Sequence, residues 1–304
     1  MQVCNYQCIR VLPVGLTKSD AVVLALIMQH ENVNIENILC IGAPETHFTP
    51  EWLQHQLFPW MQENFPKINQ KQPVMNFAES EYRKSVPFRD FFGIWGKKII
   101  SVMDIDDYEG ADIVFDLNLR DCPNDLKARF DLIVDGGSLE HCFNISSALN
   151  SMSEMLAENG VIFHSNPANQ MLDHGFYQIS PTLYPDYYNT IGFDLLFGGL
   201  SHIATNFIWD VKIQRYKKDI YRSNNGHKYT SKLPTLFVIF AAQKRNNWSP
   251  TITVVQNYYQ KIHTKTAVDF PTDIKYQLSN IDIKIRRNLL LSFKTLFKLI
   301  FRFS

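Results

Sequence analysis

Between Phe130 and Asn144 the chain reads FDLIVDGGSLEHCFN, and no other stretch constrains the fold as much. Leu132, Ile133 and Val134 form an apolar run too short for a helix, and Gly136-Gly137 stops it, which is how a strand buried on both faces reads. Asp135, Ser138, Glu140 and His141 follow at once. In open α/β sheets that position, just beyond the carboxyl end of a strand, is where ligands bind. A functional site is expected here.

The rest of the chain repeats the pattern. Ile38-Leu39-Cys40-Ile41 is a short apolar run ended by Gly42, and Thr49-Pro50-Glu51 then supplies an N-cap, a proline for the first helical position and a favourable acid. Ser19 precedes DAVVLALIMQH, so residues 20–30 read as a capped helix. FRDFFGIWG reads as a short helix closed by Gly93 or Gly96. Strands are expected at 98–103 and 111–115, each followed by an aspartate, Asp104 and Asp116. Residues 145–157 carry apolar side chains at helical spacing, with Asn159-Gly160 ending that helix before the strand VIFHS. FIWDVKIQRY and TLFVIFAAQKR read as two long strands pairing antiparallel with each other.

About seven strands, the first five alternating with helices, predict an α/β fold: a doubly wound, mostly parallel seven-stranded sheet with an antiparallel edge. At 304 residues and 45% hydrophobic content the chain can bury a full core. The expected division is an N-terminal extension with a helix (1–33), the α/β domain (34–245), and a connector with a C-terminal helix (246–304). Lysine plus arginine equals aspartate plus glutamate at 30 each, so the overall charge does not recommend nucleic acid as a partner.

Five cysteines, Cys4, Cys8, Cys40, Cys122 and Cys142, lack zinc-type spacing, so reduced thiols and no metal site are expected. No charged stretch followed by an apolar core opens the sequence, which reads as cytoplasmic.

These motifs, in this order across residues 36–245, resemble the class I S-adenosylmethionine-dependent methyltransferases. FDLIVDGGSLEHCFN is similar to the fourth-strand motif of that family, ENGVIFHS to its fifth-strand segment, and VMDIDDYEGADIVFDLN to its second and third strands. The resemblance implies S-adenosylmethionine as cofactor. It implies ribose hydroxyls on Asp104, the adenine amino group near Asp116 and the backbone at Leu117, and a contribution from Asp135 and Gly136.

After the first strand the family has an acid-x-glycine-x-glycine run. This chain has Cys40-Ile41-Gly42-Ala43-Pro44-Glu45, so Gly42 alone remains for close backbone approach, and Glu45 is the candidate carboxylate toward the methionine amino group. A GxGxxG run is absent, which disfavours a nicotinamide enzyme.

Methyl transfer from a sulfonium needs alignment, exclusion of water and, for a weak nucleophile, a base. His174, in NPANQMLDHGFYQISP, and His141 are the candidate catalytic bases, with Asp173 adjacent to the first; His164, inside an apolar strand, reads as core. The segment containing HGFYQ resembles methyltransferase-like proteins of polysaccharide biosynthesis, which implies a small-molecule or carbohydrate-type acceptor. Over 284–303, Lys284, Arg287, Lys294, Lys298 and Arg302 form a basic stripe beside apolar residues, the pattern of an amphipathic helix for a peripheral membrane contact or for packing on its own domain or a partner subunit. The alternative to an enzyme is a catalytically degenerate protein of the same fold acting as a membrane- or partner-binding adaptor.

Overall fold

The computed structural model describes residues 15–29, 33–65, 73–78, 84–203, 211–216, 235–250, 253–257, 259 and 283–285. In chain order the elements are α1 (Lys18–Gln29), β1 (Asn37–Ile41), α2 (Pro50–Trp52), α3 (Phe58–Asn64), α4 (Phe88–Gly93), β2 (Ile99–Asp104), β3 (Ile113–Val114), β4 (Phe130–Asp135), α5 (Ile145–Met155), β5 (Leu156–Pro167), α6 (Leu183–Thr190), β6 (Asp194–His202), β7 (Val211–Arg215), β8 (Leu236–Gln243) and β9 (Ile283–Ile285). A π turn, Leu53–Leu57, joins α2 to α3, and a 3-10 turn, Leu139–His141, follows β4.

The strands form one sheet in the order β3-β2-β1-β4-β5-β8-β6-β7-β9. The pairs from β3 to β5 are parallel, and those from β5 outward are antiparallel. The doubly wound sheet with an antiparallel edge is therefore present, extended past seven strands by β7 and β9. The chain leaves β1 toward β2 on one side and returns with β4 on the other, so the order reverses between β1 and β4. A crevice opens at such a point beyond the strand ends.

Alternation along the strands divides the core into two layers, one per sheet face. Ile38 and Cys40 of β1, Leu132 and Val134 of β4, and Val161 and Phe163 of β5 face a cluster with α1 and the aromatic side chains Phe48, Trp52, Phe91, Phe92 and Trp95. Leu39, Ile41, Ile133 and Ile162 face the opposite cluster with Leu149 and Met152 of α5 and Tyr184, Tyr187 and Tyr188 of α6. Eleven of the twelve residues of α1 are buried, so it is an internal helix, apolar on every side.

Four expectations are corrected. FIWDVKIQRY and TLFVIFAAQKR contain β7 and β8, but β6 lies between them and pairs with both. The α1 cap is Thr17, not Ser19: its Oγ1 and N–H meet the Asp20 carboxylate at 2.7 and 2.6 Å, while Ser19 lies inside the helix and its Oγ accepts from Ser201. The helix expected over 145–157 ends at Met155, and Asn159, at φ 61°, lies within β5 next to a register shift against β4. Finally, Ile283–Ile285 are a strand paired with β7 where the tail helix was expected to begin, and residues 286–304 lie outside the described residues. Thr49 does cap α2, accepting from the Trp52 N–H at 3.2 Å. Among the described residues no helix is long and apolar enough to cross a membrane.

Candidate active site

At the switch point the ends of β1, β2, β3 and β4 surround a cavity of about 290 Å³, at the lower end of the range for small-molecule sites. Its walls are Ile41 at the end of β1 and Gly42 after it, Met103 to Ile105 at β2, Phe115 to Asn118 after β3, and Gly137, Ser138, His141 and Cys142 after β4. Gly42 takes φ +72°, and its N–H donates to the Met103 carbonyl at 2.8 Å, so the first loop leaves β1 bound to β2. A Cβ there would stand 3.2 Å from Ser138 Oγ as well as straining the backbone.

Asp104 is half-buried at the end of β2, and its Oδ1 accepts the Ile105 N–H at 2.7 Å, which fixes the carboxylate at the wall. Asp116 Oδ1 accepts from the Asn118 N–H and side-chain amide at 2.9 and 2.8 Å. Asn118 Oδ1 in turn accepts the Asn144 N–H, tying the β3 loop to the start of α5. Both aspartates of the sequence reading thus line one cavity with Gly42.

Asp135 and Gly136 do not line this cavity. Asp135 has no solvent exposure: Oδ1 accepts from the N–H groups of Ser138 and Leu139 at 2.9 and 3.2 Å, and Oδ2 meets His164 Nδ1 at 2.7 Å and the Asn166 amide at 3.1 Å. Burial pushes this carboxyl up, but the His164 hydrogen bond and charge, with the Ser138 and Asn166 donors, outweigh it and hold the group below the usual carboxylate range. Asp135 therefore shapes the Gly136-Gly137 turn from beneath rather than facing the cavity. Gly137, at φ +106°, forms the wall, whereas the Cα hydrogen side of Gly136 is turned to Leu16, whose Cδ2 would be 3.0 Å from a Cβ.

Glu45 is exposed and stands off the cavity wall. Its carbonyl accepts the Leu16 N–H at 2.7 Å, and the His47 N–H donates to Leu16 at 2.9 Å, so a segment ahead of α1 straps the first loop. Gly15 makes this possible, since a Cβ at its φ of +137° would lie 2.3 Å from the Glu45 carbonyl oxygen. The sequence reading did not single out Gly15 or Leu16.

The two candidate histidines come together. His141 is exposed at the cavity wall, and His174, from the loop after β5, packs edge-on against it with ring centroids 5.0 Å apart. Asp173 is not the acid beside His174. That acid is Glu140, whose Oε1 lies 3.5 Å from His174 Nε2. Burial, reinforced by the Asp135 charge, pushes the Glu140 carboxyl up to about 8, and burial with the nearby His141 lowers His174. His164 is core, as its apolar strand suggested: its ring bridges Asp135 and the Tyr188 hydroxyl (2.6 Å) and stacks on Tyr184 at 4.4 Å. Cys40, Cys122 and Cys142 are free thiols, and Cys4 and Cys8 lie outside the described residues.

No known protein family matches the sequence, and no curated protein does. Solved structures do resemble it in shape. A 1,6-didemethyltoxoflavin-N1-methyltransferase of Burkholderia thailandensis, solved with 1,6-didemethyltoxoflavin and S-adenosylhomocysteine, is 12% identical, with a TM-score of 0.37 over 75% of this chain and 80% of its own. A SAM-dependent methyltransferase from Archaeoglobus fulgidus is 10% identical, with a TM-score of 0.38 over 73% and 90%. An S-adenosylmethionine-dependent methyltransferase from Mesorhizobium loti is 12% identical, with a TM-score of 0.36 over 74% and 98%. Likenesses this distant carry no functional argument.

Proposed function

We propose that the protein transfers a methyl group from S-adenosylmethionine to a small-molecule or carbohydrate-type acceptor. The observation that supports this best is the gathering of Gly42, Asp104 and Asp116, from the ends of three different strands, around one cavity at the switch point. A carboxylate at the end of β2 suits a ribose diol, because one bidentate acceptor satisfies two hydroxyls through charge-assisted bonds. In this reading Asp116 and the backbone at Leu117 would meet the adenine edge, and Gly42 would leave bare backbone for the methionine half. Asp135 serves as a positioning residue for the Gly137-Ser138 wall.

The acceptor side is the rim bearing His141 and His174, with Phe143 and Phe176 exposed beside it at a centroid distance of 5.7 Å. A carbohydrate-type acceptor enters this reading only through the resemblance of the HGFYQ segment. A peripheral membrane contact through 284–303 rests on the sequence pattern alone, and Ile283–Ile285 are already part of the sheet.

Calorimetric titration with S-adenosylhomocysteine tests the reading. Saturable binding of one ligand per chain, weakened about tenfold or more in Asp104→Ala with the circular dichroism spectrum retained, is expected. No heat at millimolar ligand, together with no thermal stabilisation, would leave the degenerate adaptor as the better account.

A further inference from the structure

Glu140, His141 and His174 each offer a ligand atom, and these atoms lie within 4.8 Å of one another. They come from two segments, the 3-10 turn after β4 and the loop after β5, so their meeting is a product of the tertiary fold. Gly175 allows it: a Cβ there would be 2.9 Å from the Glu140 carbonyl oxygen. The Tyr177 N–H donates to that same oxygen at 3.2 Å, and the Tyr177 hydroxyl to the Phe143 carbonyl at 2.9 Å, so the second loop, just after His174, is tied to the first on either side of His141.

The Glu140 carboxylate is completely buried, yet only half of it is satisfied. Oε2 accepts the Asn166 amide at 2.9 Å, and Asn166 is itself held in that orientation because its Oδ1 accepts the Tyr184 hydroxyl. Among the described residues Oε1 has no hydrogen-bond donor, and neither does His174 Nε2 have a partner. These two atoms face each other at 3.5 Å, too long for a hydrogen bond with a shared proton. The distance fits a different arrangement. Two donors bound to one tetrahedral zinc at ordinary bond lengths stand about 3.3 Å apart. A buried carboxylate with one oxygen held from behind and the other bare is likewise how a metal-bound carboxylate is supported.

We propose that Glu140, His141 and His174 form a three-ligand site for a divalent transition ion of the zinc class at the mouth of the cavity. Two imidazoles and one carboxylate disfavour magnesium and calcium, which take oxygen ligands. Three protein ligands leave a coordination position open, and the site adjoins the cavity, whose wall includes His141. The ion would then hold an oxygen or nitrogen atom of the acceptor beside the methyl donor. That last clause rests on the methyl-transfer reading; the metal site itself does not.

The test uses the full chain without an affinity tag, stripped by chelator and titrated in the absence of cofactor with Co²⁺, followed by its visible absorption, and with Zn²⁺ by calorimetry. One equivalent is expected to bind in or below the micromolar range, with no thiolate charge-transfer band despite neighbouring Cys142. His141→Ala, at an exposed position where the fold is not at stake, and Glu140→Gln, which keeps the acceptor for Asn166, are each expected to weaken binding about tenfold or more. An equivalent that binds with unchanged affinity in both variants, or wild-type protein that binds neither ion, overturns the site. Failure of S-adenosylhomocysteine to bind while Co²⁺ binding persists would sink the proposed function and leave the metal site standing.

Discussion

His164 Nδ1 stands 2.7 Å from Asp135 Oδ2, and neither side chain reaches solvent. The pair joins adjacent strands at the register position where Asp135 faces His164, directly beneath the cavity. The same aspartate accepts two N–H groups of the loop above, so a buried contact between β4 and β5 sets the shape of a wall at the surface.

Replacing His164 by leucine leaves Asp135 buried without its counter-group, and breaking one side of such a pair destabilises by roughly 3 to 5 kcal/mol. Urea unfolding of the His164→Leu protein checks this. A loss under about 1 kcal/mol would mean that Asp135 is held by its N–H donors alone.

Gly175→Ala places a methyl group against the Glu140 carbonyl and is expected to pry the second loop from the first. Exchange of the Tyr177 N–H should quicken by about tenfold or more, since a local loss of about 1.4 kcal/mol suffices. Gly93→Ala, where the added Cβ meets nothing within 4 Å, should leave that exchange unchanged. Equal effects of the two substitutions would remove the close approach as the cause.

Asp20, fully buried at the start of α1, has its carboxyl pushed by burial from 3.8 up to about 6, against the opposing hydrogen bonds from Thr17. The folded state therefore binds more protons than the unfolded state between these values. This contribution is complete below pH 3.8 and is lost as the pH rises through about 6. Across that window Asp20 removes roughly 3 kcal/mol of stability. Comparing wild type with Asp20→Asn by denaturant unfolding at pH 4.5 and pH 7 isolates it. The variant should lose less stability over that interval, and parallel pH profiles would contradict the assignment.

The parts of this fold legible in the sequence are those whose signals are local. β1, β2 and β4 are short apolar runs stopped by Gly42, Asp104 or Gly136-Gly137, and the chemistry-bearing residues sit within a few positions of each stop. β6 escaped because Gly198-Gly199 in DLLFGGLSH reads as a break. In the structure a Cβ at Gly199 would lie 2.7 Å from Ile213 Cγ2, so the glycine answers to a strand 14 residues further on.

The same holds at the site. Asp173 neighbours His174 in the sequence, but it takes φ 61° and turns the chain, and the acid that meets His174 is 34 residues earlier. Asp135 and His164 each carried a signal, one as an acid at a strand end and the other as a core imidazole. Nothing local said that they were partners. The strap was illegible for the same reason, because the need for Gly15 arises only from the Glu45 carbonyl.

That strap ties the loops behind the cavity wall to a very distant part of the chain. Leu16 lies 120 residues before Gly136, and its side chain covers that glycine while two main-chain bonds hold it to the first loop. The contact joins residues of high sequence separation, the kind whose closure is costly in folding. Lifting it breaks those two bonds and draws Leu16 out of the core in which it is fully buried. Exchange at the Leu16 and His47 amides is accordingly expected to report a separate opening of the first loop, and a protease that trimmed the chain just past Leu16 is expected to loosen that loop before the sheet.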